Sequence, residues 1–64
     1  MNDSTIQRHE AECARLFAEL ATQMEHVSIR MRSLLAHEES TDAHAEQLQG
    51  AAVCVRQWSE RLKR

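Results

Sequence analysis

Residues 37–42, His-Glu-Glu-Ser-Thr-Asp (HEESTD), interrupt a pattern of apolar residues that runs through the rest of this 64-residue chain. Ser, Thr and Asp are poor residues for the interior of a helix and good ones for its N-terminal cap. A helix continuing through the segment would also place Glu38, Asp42 and Glu46 at successive four-residue intervals, and each pair of like charges would destabilise it. The segment therefore predicts a turn over residues 38–41.

A heptad repeat extends on both sides of this segment. One register, a series of positions seven residues apart, is mostly apolar. A second register, also seven residues apart, lies three residues before each member of the first from Cys13 onward. Together they form the a and d positions that are typical of helices packed side by side. The first register comprises Ile6, Cys13, Leu20, Val27, Leu34, Thr41, Leu48, Val55 and Leu62, and the second comprises Glu10, Phe17, Met24, Met31, Glu38, Ala45, Ala52 and Ser59.

These patterns predict an all-α fold with a single domain over residues 1–64. The expected fold is an antiparallel two-helix hairpin, with a first helix over about 4–37, a turn over 38–41 and a second helix over about 42–62. The alternative is one continuous helix of about 96 Å, which the unbroken heptad phase favours. Strands are not expected, because the chain has one Phe, one Trp, no Tyr and no run of β-branched residues.

In such a hairpin, residues that face each other should have numbers summing to about 79. This pairing sets Met31 against Leu48 and Met24 against Val55, and it leaves residues 4–16 beyond the end of the second helix. The predicted core comprises Phe17, Leu20, Met24, Val27 and Met31 of the first helix with Leu48, Val55 and Leu62 of the second.

The uncovered segment is apolar rather than a polar tail. Its alanines continue into a ridge of small residues that would let a second helix approach closely, although alanine is also the best helix former. Trp58 either lines the rim of the hairpin core or anchors an interface with another chain, where Trp is common among energetic hot spots. The predicted partner- or dimer-binding site comprises Ile6, Ala11, Cys13, Ala14, Leu16, Phe17 and Trp58.

Size and charge bound the possible partners. A chain of 64 residues buries little apolar surface alone, so we expect it to bind another protein or a second copy of itself, dimerising into a four-helix bundle or a coiled-coil-like assembly. The net charge of −2 argues against nucleic acid as a general partner. No apolar run approaches the roughly 20 residues that would span a membrane. Two cysteines without a signal peptide indicate free thiols and a cytoplasmic location.

The chain shows no pattern typical of a catalytic, cofactor-binding or metal site. His9 and Cys13 lie four residues apart and could share a metal only if another chain supplied further ligands. A solvated histidine and a free cysteine are the simpler interpretation. We therefore expect a protein that is not an enzyme and that uses no cofactor.

Two family resemblances follow from these features. The stretch 24–63, especially Leu48-Gln-Gly-Ala-Ala-Val-Cys-Val55 and then Leu62-Lys63, is similar in pattern to the small helical-hairpin co-chaperones of type III secretion needle subunits. That resemblance implies a protein that holds an aggregation-prone partner. In length, heptad seam and acidic mid-chain turn, the chain also resembles the Rop-type RNA-binding proteins, hairpins that dimerise into a four-helix bundle. Either resemblance implies a bacterial or phage protein.

The expected function is a non-catalytic interaction module. It would bind a partner protein through helix–helix packing and thereby chaperone, sequester or inhibit it. The alternative is a Rop-like regulatory hairpin dimer that binds RNA, for which the first helix offers Arg8, Arg15, Arg30 and Arg32. Binding that weakens steeply with salt would distinguish the RNA-binding alternative.

Overall fold

The computed structural model describes residues 3–63, which form a hairpin of two α-helices. Helix α1 spans Asp3–Leu34 and helix α2 spans Thr41–Lys63. They pack along their length into a rod of 54 × 15 × 14 Å. The all-helical hairpin is thereby confirmed, and the continuous helix is excluded.

The connection between the helices comes three residues earlier than expected. Helix α1 ends at Leu34 rather than near residue 37, and residues 35–40 form two successive turns. The Glu38 N–H donates to the Leu35 carbonyl at 3.0 Å, and the Thr41 N–H donates to the Glu38 carbonyl at 3.2 Å. The buried Thr41 hydroxyl also donates to the Leu35 carbonyl at 2.9 Å. The Leu35 carbonyl thus accepts two donors, and the Thr41 hydroxyl ties the end of α1 to the start of α2 at this earlier position.

The two helices meet through a seam of small residues. Ser28 donates its hydroxyl to the Ala45 carbonyl at 3.0 Å, and Ser59 donates its hydroxyl to the Ala14 carbonyl at 2.6 Å. Because a serine hydroxyl extends only a short way from its own backbone, both bonds require the helices to approach closely. The seam comprises Ala14, Ala21 and Ser28 of α1 with Ala45, Ala52 and Ser59 of α2, each at most 1% exposed.

The seam fixes a register that differs from the predicted one. Ser28 faces Ala45 and Ser59 faces Ala14, so the numbers of facing residues sum to 73 in both cases, not to about 79. At this register the last turn of α2 lies level with Glu10, and a recess there is lined by residues of both helices, including Glu10 and Leu62. The uncovered part of α1 is therefore about residues 3–9, shorter than the predicted 4–16.

Two of the five residues predicted for the core of α1 pack against the buried cluster. Phe17 and Met24 pack against a buried cluster of Ala21, Ala52 and Val55, as the heptad pattern predicted for these two side chains and for Val55. Met31, Leu48 and Leu62 are half-buried.

Leu20 and Val27 were predicted to be core residues, and this prediction is wrong, because they are 45% and 50% exposed. Leu20 and Ala21 lie on opposite sides of Phe17 on the helix surface, at three and four residues from it. The hairpin turns the alanine side of α1 inward, because only that side allows the close approach that the two serine bonds require. The leucine side is left outside.

Candidate functional site

The large aliphatic side chains of α1 form an exposed stripe beside the seam. Leu20, Val27 and Leu34 are 45%, 50% and 63% exposed, and each lies seven residues from the next. This spacing places them along one line of the helix. Ile6 and Cys13 extend the same line toward the N-terminus and are also exposed. Leu16, which is 49% exposed, is four residues from Leu20 and therefore its neighbour on the helix surface.

Helix α2 contributes Trp58 to the same side of the hairpin. Its indole packs edge-to-face on the Phe17 ring, with centroids 5.7 Å apart and an interplanar angle of 69°. A contact of this geometry contributes about 0.5 to 1.5 kcal/mol beyond the area it buries. Trp58 nevertheless remains half exposed. It is thus both the rim of the hairpin core and an available surface group. We call this surface the apolar face; it comprises Ile6, Cys13, Leu16, Leu20, Val27, Leu34 and Trp58.

The opposite side of the hairpin is closed by polar contacts. Arg56 reaches across to Glu25 at 2.8 Å and to Thr22 at 3.3 Å. Arg56 and Trp58 are two residues apart, so they project from nearly opposite sides of α2. Both partners of the ion pair are about 40% exposed, so its contribution is at most about 1 kcal/mol. One side of the hairpin is therefore bridged by charged groups, although Val53 and Ile29 are exposed on that side at 54% and 59%. The other side presents the longer row of apolar side chains.

The residues of the predicted binding site fall into four groups in the structure. Ala14 is 1% exposed and its carbonyl accepts the Ser59 hydroxyl, so it belongs to the seam of the hairpin itself. Phe17 is half-buried in the core beneath Trp58. Ala11 is exposed, but it lies on the side of α1 that carries Glu25. The remaining four, Ile6, Cys13, Leu16 and Trp58, lie on the apolar face.

Three members of this face were not predicted from the sequence. Leu20 and Val27 were assigned to the core, and Leu34 was assigned to the same heptad register. A signal was present. Small residues recur every seventh position at 14, 21 and 28 and again at 45, 52 and 59, which is the spacing of two matching rows. Two members of the first row, Ala14 and Ala21, were interpreted only as part of a ridge of alanines for a second chain.

The described residues offer little for other chemistries. Within residues 3–63, no three His, Cys, Asp or Glu side chains are placed to hold a metal ion together. In the same span neither helix has a segment long and apolar enough to cross a membrane. Cys13 and Cys54 are both free and exposed.

No protein-family model, curated protein or solved structure matches this chain. The resemblances to needle-subunit co-chaperones and to Rop-type hairpins therefore stay predictions. The apolar face and the contacts around it carry the functional argument.

Proposed function

We propose that this protein is a non-catalytic interaction module that packs helices of a partner against its apolar face. Through that contact it would chaperone, sequester or inhibit the partner. The observation that supports this function is the placement of side chains by size: alanine and serine fill the hairpin, while leucine, isoleucine and tryptophan lie outside it. Such an arrangement suits a hairpin whose larger hydrophobic contacts are made with another molecule.

The interior of the hairpin is thin. Its buried apolar residues are Ala14, Ala21, Ala45, Ala52 and Val55. Burial stabilises by about 0.8 kcal/mol per methylene-sized group, so four alanine methyls and one valine contribute only a few kcal/mol. A domain of this size rarely offsets the conformational entropy of ordering its chain without further contacts. Covering the apolar face would supply such contacts.

The exposed area supports the same conclusion. The chain has an accessible surface of 5084 Å². A compact folded protein of 7.4 kDa would expose about 4,200 Å². The excess of roughly 900 Å² reflects the elongated 54 × 15 × 14 Å shape of the hairpin, and it is comparable to the area of about 800 Å² that one partner buries in a protein–protein interface of standard size.

The occupant is either a second copy, giving a four-helix bundle, or a helix of a different protein. Both would use the helix-in-groove mode, with large side chains spaced by three, four and seven residues as anchors. The proposed setting is the cytoplasm, where exposed thiols such as those of Cys13 and Cys54 persist in reduced form.

RNA binding of the Rop type has weaker support. Arg15 contacts both Glu12, at 3.7 Å, and Glu19, at 2.8 Å, so part of the positive charge on α1 is neutralised within the helix. Arg32 lies 3.9 Å from Asp42 across the turn. An RNA-bound complex whose affinity fell steeply between low and physiological salt would favour this alternative over the protein-interaction module.

A matched pair of substitutions on α1 tests the proposed function. Leu16→Glu places a charge on the apolar face, whereas Ile29→Glu places the same charge on another side of the helix, where Ile29 is even more exposed at 59%. We expect Leu16→Glu to weaken self-association in sedimentation velocity, or to release a protein that the wild type and Ile29→Glu retain from a lysate of the source organism. Far-UV circular dichroism should show similar helix content in all three.

Either of two outcomes contradicts the proposal. It is contradicted if the wild type sediments as a monomer at high concentration and Leu16→Glu retains every protein that the wild type retains. Equal loss of association in Leu16→Glu and Ile29→Glu would also contradict it, because the effect would then follow charge and not the apolar face.

A further inference from the structure

We propose that the occupant of the apolar face is a second copy of this chain, with the two α1 helices antiparallel about a two-fold axis that passes by Leu20. This inference rests on the proposed function, because it assumes that the apolar face is the interaction surface. It goes further by naming the partner, its direction and its register. Three observations support it: the spacing of the stripe, the charges beside it and the excess accessible surface of the chain.

The stripe on α1 is symmetric in sequence about its middle member. Its five positions, Ile6, Cys13, Leu20, Val27 and Leu34, are seven residues apart, with two on each side of Leu20. An antiparallel copy centred there would set Ile6 against Leu34 and Cys13 against Val27 of the second copy, with Leu20 against itself. All five positions on both copies would then be covered.

Other registers cover less of the stripe. If Leu20 faced Val27 of the second copy, Ile6 would lie opposite residue 41, which is past the end of α1 at Leu34. One large apolar residue per copy would then lose its partner on the facing α1. A two-fold contact of this kind is self-complementary, because each pairing occurs twice. The register centred on Leu20 therefore covers more of the stripe than the shifted register does.

The charges beside the stripe favour the antiparallel direction. On its outer edge Glu12 and Glu19 lie toward the N-terminal end of α1 and Arg30 toward the C-terminal end. At the proposed register Glu12 lies opposite residue 28 of the second copy, about 3 Å along the axis from Arg30. The Glu12 side chain is 61% exposed and its contact to Arg15 is long, at 3.7 Å, so it can accept a further donor. A parallel arrangement would instead set Glu12 and Arg30 each beside its own copy. At the antiparallel register only Glu19 lies near its own copy, about 3 Å along the axis, and its carboxylate is already paired with Arg15 at 2.8 Å.

The second helix fits the same symmetry. Within one hairpin, position 53 of α2 is level with Leu20 of α1, so the two-fold axis passes α2 at that level. Trp58 would then lie level with Leu48 of the second copy's α2, and within one helical turn of Ala51 of that helix. The short side chain of Ala51 leaves room for the indole of Trp58, which the hairpin alone leaves about half exposed. The result is four helices in which all neighbouring helices are antiparallel.

The area also matches a second copy. The excess surface of roughly 900 Å² per chain corresponds to about 1,800 Å² for two chains, which lies within the range of about 1,200 to 2,000 Å² for stable complexes. The small net charge of −2 opposes such an association only weakly.

Disulfide trapping tests the register with the cysteine that the chain already carries. The starting protein has Cys54→Ser, so that Cys13 is its only thiol. Val27→Cys in this background places the new thiol opposite Cys13 of the second copy. The two thiols within one chain are 14 residues, or about 21 Å, apart and cannot join to each other. We expect mild oxidation to convert most of the chain into a covalent dimer that reduction reverses.

Three matched variants complete the test. Cys54→Ser alone and Cys13→Ser/Cys54→Ser/Val27→Cys should both stay uncrosslinked, because each then has a single thiol far from its copy in the second chain. Cys54→Ser/Leu34→Cys, which reports the shifted register, should crosslink much less than the Val27→Cys protein.

Each contrary result identifies what is wrong. Rapid crosslinking of Cys54→Ser alone would indicate parallel helices, and preferential crosslinking through position 34 would indicate the shifted register; either overturns the proposed geometry. A monomeric wild type with no crosslinking overturns the second copy as occupant. If Leu16→Glu still releases a retained protein in that case, the interaction module survives with a different partner.

Discussion

The seam and the apolar face lie side by side on α1 and differ mainly in the size of their side chains. The seam uses Ala14, Ala21 and Ser28, which are almost fully buried. The apolar face uses Leu20, Val27 and Leu34, which are roughly half exposed although they are far more hydrophobic. Close approach of two helices, and not the hydrophobicity of individual residues, therefore decides which side of α1 faces α2. The larger side chains remain available for another molecule.

The largest effect should come from adding volume to the seam. Ala52→Leu places a bulky side chain where Ala52 is fully buried between the helices. Overpacking of this kind costs about 1 to 3 kcal/mol or more, and here it would also separate the helices and break both serine bonds. For a thin hairpin we expect loss of most cooperative melting in circular dichroism.

Ala43→Leu is the matched control for this substitution, because it makes the same change at an exposed position of α2. Its melting temperature should stay within a few degrees of the wild type. If Ala52→Leu melted like Ala43→Leu, the helices would not be in close contact at this level, and the seam would be wrongly placed.

A smaller effect should come from removing the two seam hydroxyls. Ser28→Ala and Ser59→Ala each delete one buried hydrogen bond without creating a large cavity, which costs about 0.5 to 1.5 kcal/mol. The two bonds are far apart along the rod, so their effects should add in the double variant. Urea denaturation measures both singles and the double.

Ser33→Ala, at an exposed position of α1, serves as the control and should be close to neutral. A double variant as stable as the wild type would mean that the serines are present only because they are small. The difference between the seam and the apolar face would then be explained by side-chain volume alone.

The smallest effect on the hairpin itself should come from the apolar face. Leu20→Ala removes a side chain that is already 45% exposed, so at low protein concentration it should cost about 1 kcal/mol or less, not the 2 to 5 kcal/mol typical of a buried leucine. If the face is covered by a second copy, the cost should rise as the protein concentration rises. Thermal melts over a wide range of concentrations measure this dependence.

A large, concentration-independent loss of stability in Leu20→Ala would place Leu20 in the hairpin core. That result would restore the packing first predicted from the heptads and would remove the contrast between the two surfaces.

Much of the fold could be predicted from the sequence because its signals are local. The Ser40, Thr41 and Asp42 run marked the start of α2 to within one residue. Val55 of the first heptad register and Ser59 of the second were assigned to the inner side of α2, and both are buried, whereas Thr41, predicted to lie in the turn, is a buried residue at the start of α2. The end of α1 was less predictable, because it depends on a hydrogen bond from Thr41 to Leu35, six residues away.

The candidate site was harder to predict than the fold. Ile6 and Leu16 were predicted to be uncovered, and they are exposed, whereas Trp58 was left between the core rim and an interface. Ala14 was expected to bind a partner and instead accepts a bond from Ser59. A heptad pattern gives the line of large residues, but it does not say whether that line or the neighbouring line of small residues faces the other helix.

The sequence by itself determined the two helices, the position of the turn to within a few residues and the inner side of α2, because helix propensity, capping and apolar spacing act within a few residues of the chain. Only the tertiary structure decided the rotation of α1 and the register in which Ala14 faces Ser59. Both lines of α1 flank Phe17 and either could turn inward. The choice depends on how closely two backbones can approach and on hydroxyls that find carbonyls on the facing helix, and these are properties of the packed pair.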